Sequence, residues 1–376
     1  MDYKIRFVNY PRHWQTHRDE FMAVIEDRLS RGELIIRQDV LDFEKNISEL
    51  TGAKFAKGLN SGFDALHLSL KALNIGPGDE VVTVAHTFMA TISAIVLVGA
   101  KPVLIDIGKD WNMDMSLLET AITPKTKVVI PVHLNGRMCD MDTLGQIIKR
   151  FEEKGQRIHV IEDACQALGA KFNGKGAGSF GATGCFSHYP AKILGCFGEG
   201  GALTTNDGGL DEKILLLRYH GVMRDPARTP KMFGYNAVLD NIQAAILNVK
   251  LAHFDEAVTR RAEIAKKYQA ELSGIKDLKL PHFEDSRYLD AYWNYVVQTT
   301  KRDELKQHLE SQGVETIISW PKPIYSYDFY KKSFPVDPLP VTEKVCREVI
   351  SLPIYPELTD EEVNFVIQAV KDFYTK

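Results

Sequence analysis

DEVVTVAHTFMATISAIVLVGAKPVLIDI, residues 79–107, decides the fold class. Two short runs rich in β-branched residues, around Val81–Val84 and Pro102–Ile107, flank a longer apolar stretch with helical spacing. A strand, a helix and a second strand follow from that pattern. The same alternation continues downstream through SLLETAI, KVVIPVHL, DTLGQIIKRFEEK and RIHVIEDA. Repeated strand-helix units build a mostly parallel sheet covered by helices on both faces, so the expectation is an α/β protein with a large mixed sheet. Upstream, apolar spacing predicts helices over 21–29 and 40–50, and a third that begins just after the turn Asn60-Ser61-Gly62. Downstream, GCFSHYPAK and GGALTTND read as two strands joined through Lys192 and a glycine-rich turn.

The helix in LDNIQAAILNVKLAHF leads away from this unit, and beyond it the chain turns to charged helices around one strand, AYWNYVVQTT. The expected division is a large domain with an N-terminal arm over 1–250 and a small α/β domain over 251–376. The proline-rich piece 319–340 reads as an ordered aromatic loop.

With 46 basic against 50 acidic residues, the chain has no cationic surplus to hold a phosphate backbone, which argues against a nucleic-acid partner. Five scattered cysteines without a CxxC pair argue against a disulfide framework or structural zinc and point to a reducing cytoplasm. No stretch has the apolar length of a membrane span. Two phosphate-loop patterns lie in one segment. Gly176, Gly178 and Gly181 spell GxGxxG, but a strand-like run follows where a dinucleotide site needs a helix. Gly169, Gly174 and Lys175 nearly spell a Walker loop, but Gly176 stands where a hydroxyl must hold magnesium. His13 and His17 have chelate spacing, yet the sequence offers no third ligand with them, and they read as surface residues of the arm.

Chemistry with pyridoxal phosphate needs a lysine amine, a carboxylate for the pyridine nitrogen, a phosphate cradle and a flat face for the ring. Lys192, in HYPAKILG, offers the amine. Asp163 ends the strand IHVIED, where a carboxylate either points into the ligand crevice or caps a following helix. Gln166 either reaches the ring hydroxyl or completes such a cap. The turn before Gly62 and Phe63 is either an anion site at a helix start or an ordinary capped helix. Ser187 can add a hydroxyl, and Phe88 is either a stacking face or core.

FSHYPAKILGCFGEGGALTTND, IEDACQALGA, NSGFDALHLSLKAL, GDEVVTVAHTFMATISAI and SLPIYPELTDEEV together resemble the DegT/DnrJ/EryC1/StrS family of PLP-dependent sugar aminotransferases. The resemblance implies a type I aminotransferase fold and a homodimer with shared active sites. It implies transfer of an amino group from glutamate, which leaves as 2-oxoglutarate, to a keto-sugar of a nucleoside diphosphate. By position, Lys192 resembles the family's Schiff-base lysine and Asp163 the partner of the ring nitrogen. Gln166 resembles the residue at the ring oxygen, Phe88 the stacking aromatic, and Gly62, Phe63 and Ser187 the phosphate contacts. Asn236 resembles an asparagine that reaches the neighbouring subunit's phosphate.

Three positions depart from the family. Phe63 replaces a frequent hydroxyl residue, Val238 a frequent arginine, and ISWPKPIY lacks a histidine found in many relatives. Lys192 itself separates the chain from the family's dehydratases, which carry histidine there. YPAKILGCFGEGG looks more like relatives that aminate C3 than C4. A non-catalytic sensor built on the same fold is the competing expectation.

Overall fold

The computed structural model describes residues 3–223, 225–281 and 284–375. Its helices are α1 (Tyr10–Thr16), α2 (Arg18–Arg31), α3 (Gln38–Thr51), α4 (Gly62–Ala72), α5 (Met89–Leu97), α6 (Met115–Ala121), α7 (Met141–Glu153), α8 (Gly208–Leu217) and α9 (Asn241–Ala252). The C-terminal part adds α10 (Phe254–Leu272), α11 (Arg302–Ser311), α12 (Asp328–Ser333), α13 (Pro340–Glu348) and α14 (Asp360–Thr375). The strands are β1 (Phe55–Leu59), β2 (Glu80–Val84), β3 (Lys101–Ile105), β4 (Thr126–Val129), β5 (His159–Asp163), β6 (Lys171–Phe172), β7 (Lys175–Gly176), β8 (Thr183–Ser187), β9 (Gly201–Thr205), β10 (Tyr288–Leu289), β11 (Tyr295–Gln298) and β12 (Val349–Leu352).

Seven strands form the main sheet in the order β1-β9-β8-β5-β4-β2-β3, and β9 alone runs against the rest. Side chains alternate between the two faces of a strand. Val82, Val129, Phe186 and Ala202 therefore enter one apolar core, while their neighbours Val81, Val128, Cys185 and Leu203 enter another on the opposite face. Both faces are covered by helices, so the strands carry continuous apolar runs with no polar alternation. This is the mostly parallel sheet expected from the sequence.

A third core gathers Tyr268, Leu272, Tyr295, Val297, Leu305, Ile350 and Val366 around the β11-β12 pair, and Ile5 of the N-terminal arm joins it. The step between cores is made along α9 and α10, with Leu247 and Phe254 in the first core and Ile264 in the third. The stretch 319–340 holds the short helix α12 and ends where Pro340 opens α13, so it is more helical than its composition suggests. Among the described residues no helix is long and apolar enough to cross a membrane, and all five cysteines are free thiols.

Candidate active site

Asp163 is the last residue of β5, at the C-terminal edge of the parallel strands, where open α/β sheets bind ligands. It is 5% exposed. No helix follows it, which removes the capping alternative. Its Oδ2 accepts the Thr91 hydroxyl at 2.7 Å, and its Oδ1 takes the Cys165 N–H at 3.3 Å. The preceding residue explains why this strand end is rigid. Glu162, fully buried, accepts the N–H groups of Gly178, Phe180 and Gly181 at 2.8–2.9 Å, together with His133 Nε2 at 3.0 Å. His133 Nδ1 accepts the Cys139 N–H, so the ring is neutral and Nε2 is the donor. The amides of the glycine motif thus wrap one of the protein's own carboxylates, and the motif is spent on structure.

Lys192 lies in the loop between β8 and β9, with its N–H bonded to Tyr189 O at 2.8 Å. Its Nζ stands 4.0 Å over the ring of Trp293, whose Nε1 donates to Ala191 O at 2.8 Å. Burial pulls the lysine below its usual range, against the opposing pull of Cys165 and Asp163. A lysine must be neutral to attack an aldehyde, and burial favours that form.

Ser61 caps α4: its hydroxyl oxygen accepts the Asp64 N–H at 3.0 Å, and its carbonyl takes the Ala65 N–H. The N–H groups of Gly62 and Phe63 are thereby left for an anion at the positive end of the helix. Gly62 is required by packing. A Cβ there would lie 2.8 Å from both Cys165 Sγ and Ser187 Cβ, so this turn, β8 and the segment after β5 converge at one point. Phe63 turns its ring along the helix onto His67, with centroids 5.7 Å apart.

Phe88 opens α5 three residues before Thr91 and is 62% exposed, so it is not core. Gln166 Oε1 accepts the Asn135 N–H at 2.9 Å and caps no helix. Asn236 is exposed and bridged to Tyr219; the next residue, Ala237, accepts the Asn60 N–H beside the α4 turn, and Val238 is bridged to Leu59. Trp320, in the segment lacking the family histidine, packs edge-on against His86, two residues before Phe88. The structure therefore brings Lys192, Asp163, Gly62 and Ser187 together, with Phe88 and Gln166 on the elements that hold Asp163.

Three residues of this region carried no sequence signal: Thr91, Trp293 and Lys250. Lys250, on α9 and only 9% exposed, donates to Gly195 O in the lysine loop and lies 4.3 Å over the Phe197 ring. It also lines a cavity of about 540 Å³ that reaches Lys192 from the N-terminal arm and includes Tyr10, Arg261 and Trp293. Burial lowers Lys250 to about 8. An unfolded lysine titrates near 10.4, so between those values the unfolded chain binds this proton more tightly and the site's contribution to stability rises with pH. Lys250→Met is expected to remove that rise, at most about 3 kcal/mol. The check is to compare urea midpoints of both proteins at about pH 7.5 and about pH 9.5.

The donor set fits pyridoxal phosphate: a lysine shifted toward its neutral form, a buried carboxylate fixed by Thr91, and a glycine cradle at a helix start. Comparison with known proteins agrees. Residues 15–371 match the model of the DegT/DnrJ/EryC1/StrS aminotransferase family. The chain is 38% identical over 98% of its length, and 98% of the relative's, to a "pleiotropic regulatory protein" of Geobacillus stearothermophilus. It is 36% identical to a dTDP-3-amino-3,4,6-trideoxy-alpha-D-glucose transaminase of Streptomyces venezuelae, covering 98% of this chain and 96% of that one. Among solved structures, S. venezuelae DesV in complex with a ketimine intermediate superposes with a TM-score of 0.94 at 36% identity, over 99% of both chains. The architecture is the type I aminotransferase fold, and pyridoxal phosphate is the cofactor. The chain belongs to the DegT/DnrJ/EryC1/StrS aminotransferase family and is a pyridoxal-phosphate-dependent sugar aminotransferase.

Proposed function

We propose that this protein transfers an amino group from glutamate to the C3 keto carbon of a nucleoside-diphosphate hexose, acting as a cytoplasmic homodimer. The convergence of a half-buried Lys192 with Asp163 and the Gly62 turn carries the reading of the chemistry. The name of the S. venezuelae relative, a 3-amino-sugar transaminase, supports the position. Five unpaired thiols suit a reducing compartment.

In this reading Lys192 holds the cofactor, and Asp163, steadied by Thr91, faces the ring nitrogen. Gly62 and Phe63 N–H groups and the Ser187 hydroxyl hold the phosphate, Gln166 the ring oxygen, and Phe88 one ring face. Asn236 reaches the phosphate of the neighbouring subunit. Bound pyridoxal phosphate supplies an aldehyde for the amino group and a ring that takes up the electrons freed when the Cα–H bond breaks. Lys192 Nζ, released and neutral, takes that proton and returns it one position along. In the second half-reaction the same amine returns a proton to the sugar carbon.

Protein loaded with pyridoxamine phosphate should convert 3-keto sugars linked to dTDP or UDP into 3-amino sugars, with the position read by NMR. A 4-amino product from 4-keto sugars, with the 3-keto panel untouched, would overturn the C3 assignment.

A further inference from the structure

His17 stands at the junction of α1 and α2, and His253 at the junction of α9 and α10. Elements far apart in sequence meet there. Glu20 lies one turn along α2 from His17, on the same helix face. Its Oε1 is 3.0 Å from His17 Nδ1 and its Oε2 is 3.1 Å from His253 Nε2, and the two imidazole rings are 4.2 Å apart. All three ligand atoms lie within 4.8 Å of one another. The sequence pairs His17 with His13, but His13 turns instead to Glu357, at 2.6 Å. The third ligand missing from the sequence is supplied by the fold, from two directions.

We propose that His17, Glu20 and His253 form a binding site for a divalent cation of the zinc class, tying the N-terminal helix pair to the α9-α10 junction. Zinc binds nitrogen and carboxylate oxygen at about 2.0–2.2 Å, which sets tetrahedral donors roughly 3.3 Å apart. Each Glu20 oxygen now faces a different imidazole, at 3.0 and 3.1 Å, so ligation needs one carboxylate oxygen to turn toward the ion and the three donor atoms, within 4.8 Å of one another, to close toward that spacing. A cation takes a lone pair from each imidazole in its neutral form. Side-chain exposures of 21% for His17, 49% for Glu20 and 32% for His253 leave room for a water as fourth ligand. Two nitrogens and one oxygen favour zinc, cobalt or nickel over magnesium or calcium. Lys250, one turn before His253, holds Gly195 in the lysine loop, so the cation would fix the end of a helix that supports the active site.

The test is titration of chelator-treated holoenzyme with cobalt(II). One cobalt per chain is expected, with a visible ligand-field band that zinc abolishes and a large excess of magnesium leaves unchanged. Glu20→Gln and His253→Ala should each weaken binding at least tenfold while the cofactor's absorption spectrum stays intact; His17→Ala serves if either fails to fold. Uptake of equal affinity in the variants, or no uptake by the parent protein at a hundredfold excess of cobalt, would overturn the proposal.

Discussion

Lys192→Ala is expected to lower turnover at least about a thousandfold, because one side chain is assigned both the attachment of the cofactor and the proton transfers. Loss of fold would not explain such a result. The backbone of the loop is held by Lys192 N–H to Tyr189 O and by Trp293 Nε1 to Ala191 O, neither of which involves the lysine side chain. What alanine removes is the contact of the ammonium with the Trp293 ring, worth about 0.5–2 kcal/mol. It also removes the burial that lowers the lysine's pKa, and the two effects oppose each other. The thermal midpoint should therefore move by only a few degrees. Borohydride treatment with pyridoxal phosphate should add the cofactor's mass to the peptide containing residue 192 in the parent and not in the variant. Retained turnover in the variant, or label on another lysine, would sink the assignment.

The main sheet was legible because its residues obey local rules. Val81 and Val82 go to opposite faces and both faces are buried, so the strand reads as a continuous apolar run, and the same holds at Val128 and Val129. The glycine motif was correctly set aside on its context, and the structure adds the reason: its amides surround Glu162. Site residues were less legible one at a time. Asp163 and Phe88 each admitted a bland alternative that only the absence of a following helix, or an exposure of 62%, could remove. Their selection rested on the joint resemblance of several motifs. Thr91, Trp293 and Lys250 left no trace, since each acts on a residue far away in sequence: Thr91 on Asp163, Trp293 on Ala191, Lys250 on Gly195. Nothing in local periodicity encodes such a pairing. The same limit hid the grouping of His17 and Glu20 with His253. Residues 319–340 form the ordered aromatic loop their composition suggests, with Tyr325 and Tyr330 buried; what composition did not reveal is the short α12, which needs only six residues, and the start of α13 at Pro340, well placed as a first helical residue.

Asp163→Asn is expected to lower turnover by about a hundred- to a thousandfold, the range for removing one preorganised electrostatic group from a catalytic site. The substitution changes charge while keeping shape. An asparagine oxygen can still accept the Thr91 hydroxyl at the present 2.7 Å; its amide nitrogen gives up only the long 3.3 Å bond from the Cys165 N–H, and the strand end remains held through Glu162 and the bond from His133 N–H to Asp163 O. Stability should change little, so a fall in rate would report the lost negative charge. An amide cannot hold the ring nitrogen protonated, and without that proton the ring takes up electrons less well. The loss should therefore appear in the rate of proton removal from glutamate, read as a fall in single-turnover rate with deuterium at Cα. Affinity for the cofactor, which also depends on Lys192 and the Gly62 turn, should weaken much less. A variant that keeps its single-turnover rate within threefold but releases the cofactor readily would show that Asp163 serves binding alone. The charge at the end of β5 would then have no part in the chemistry.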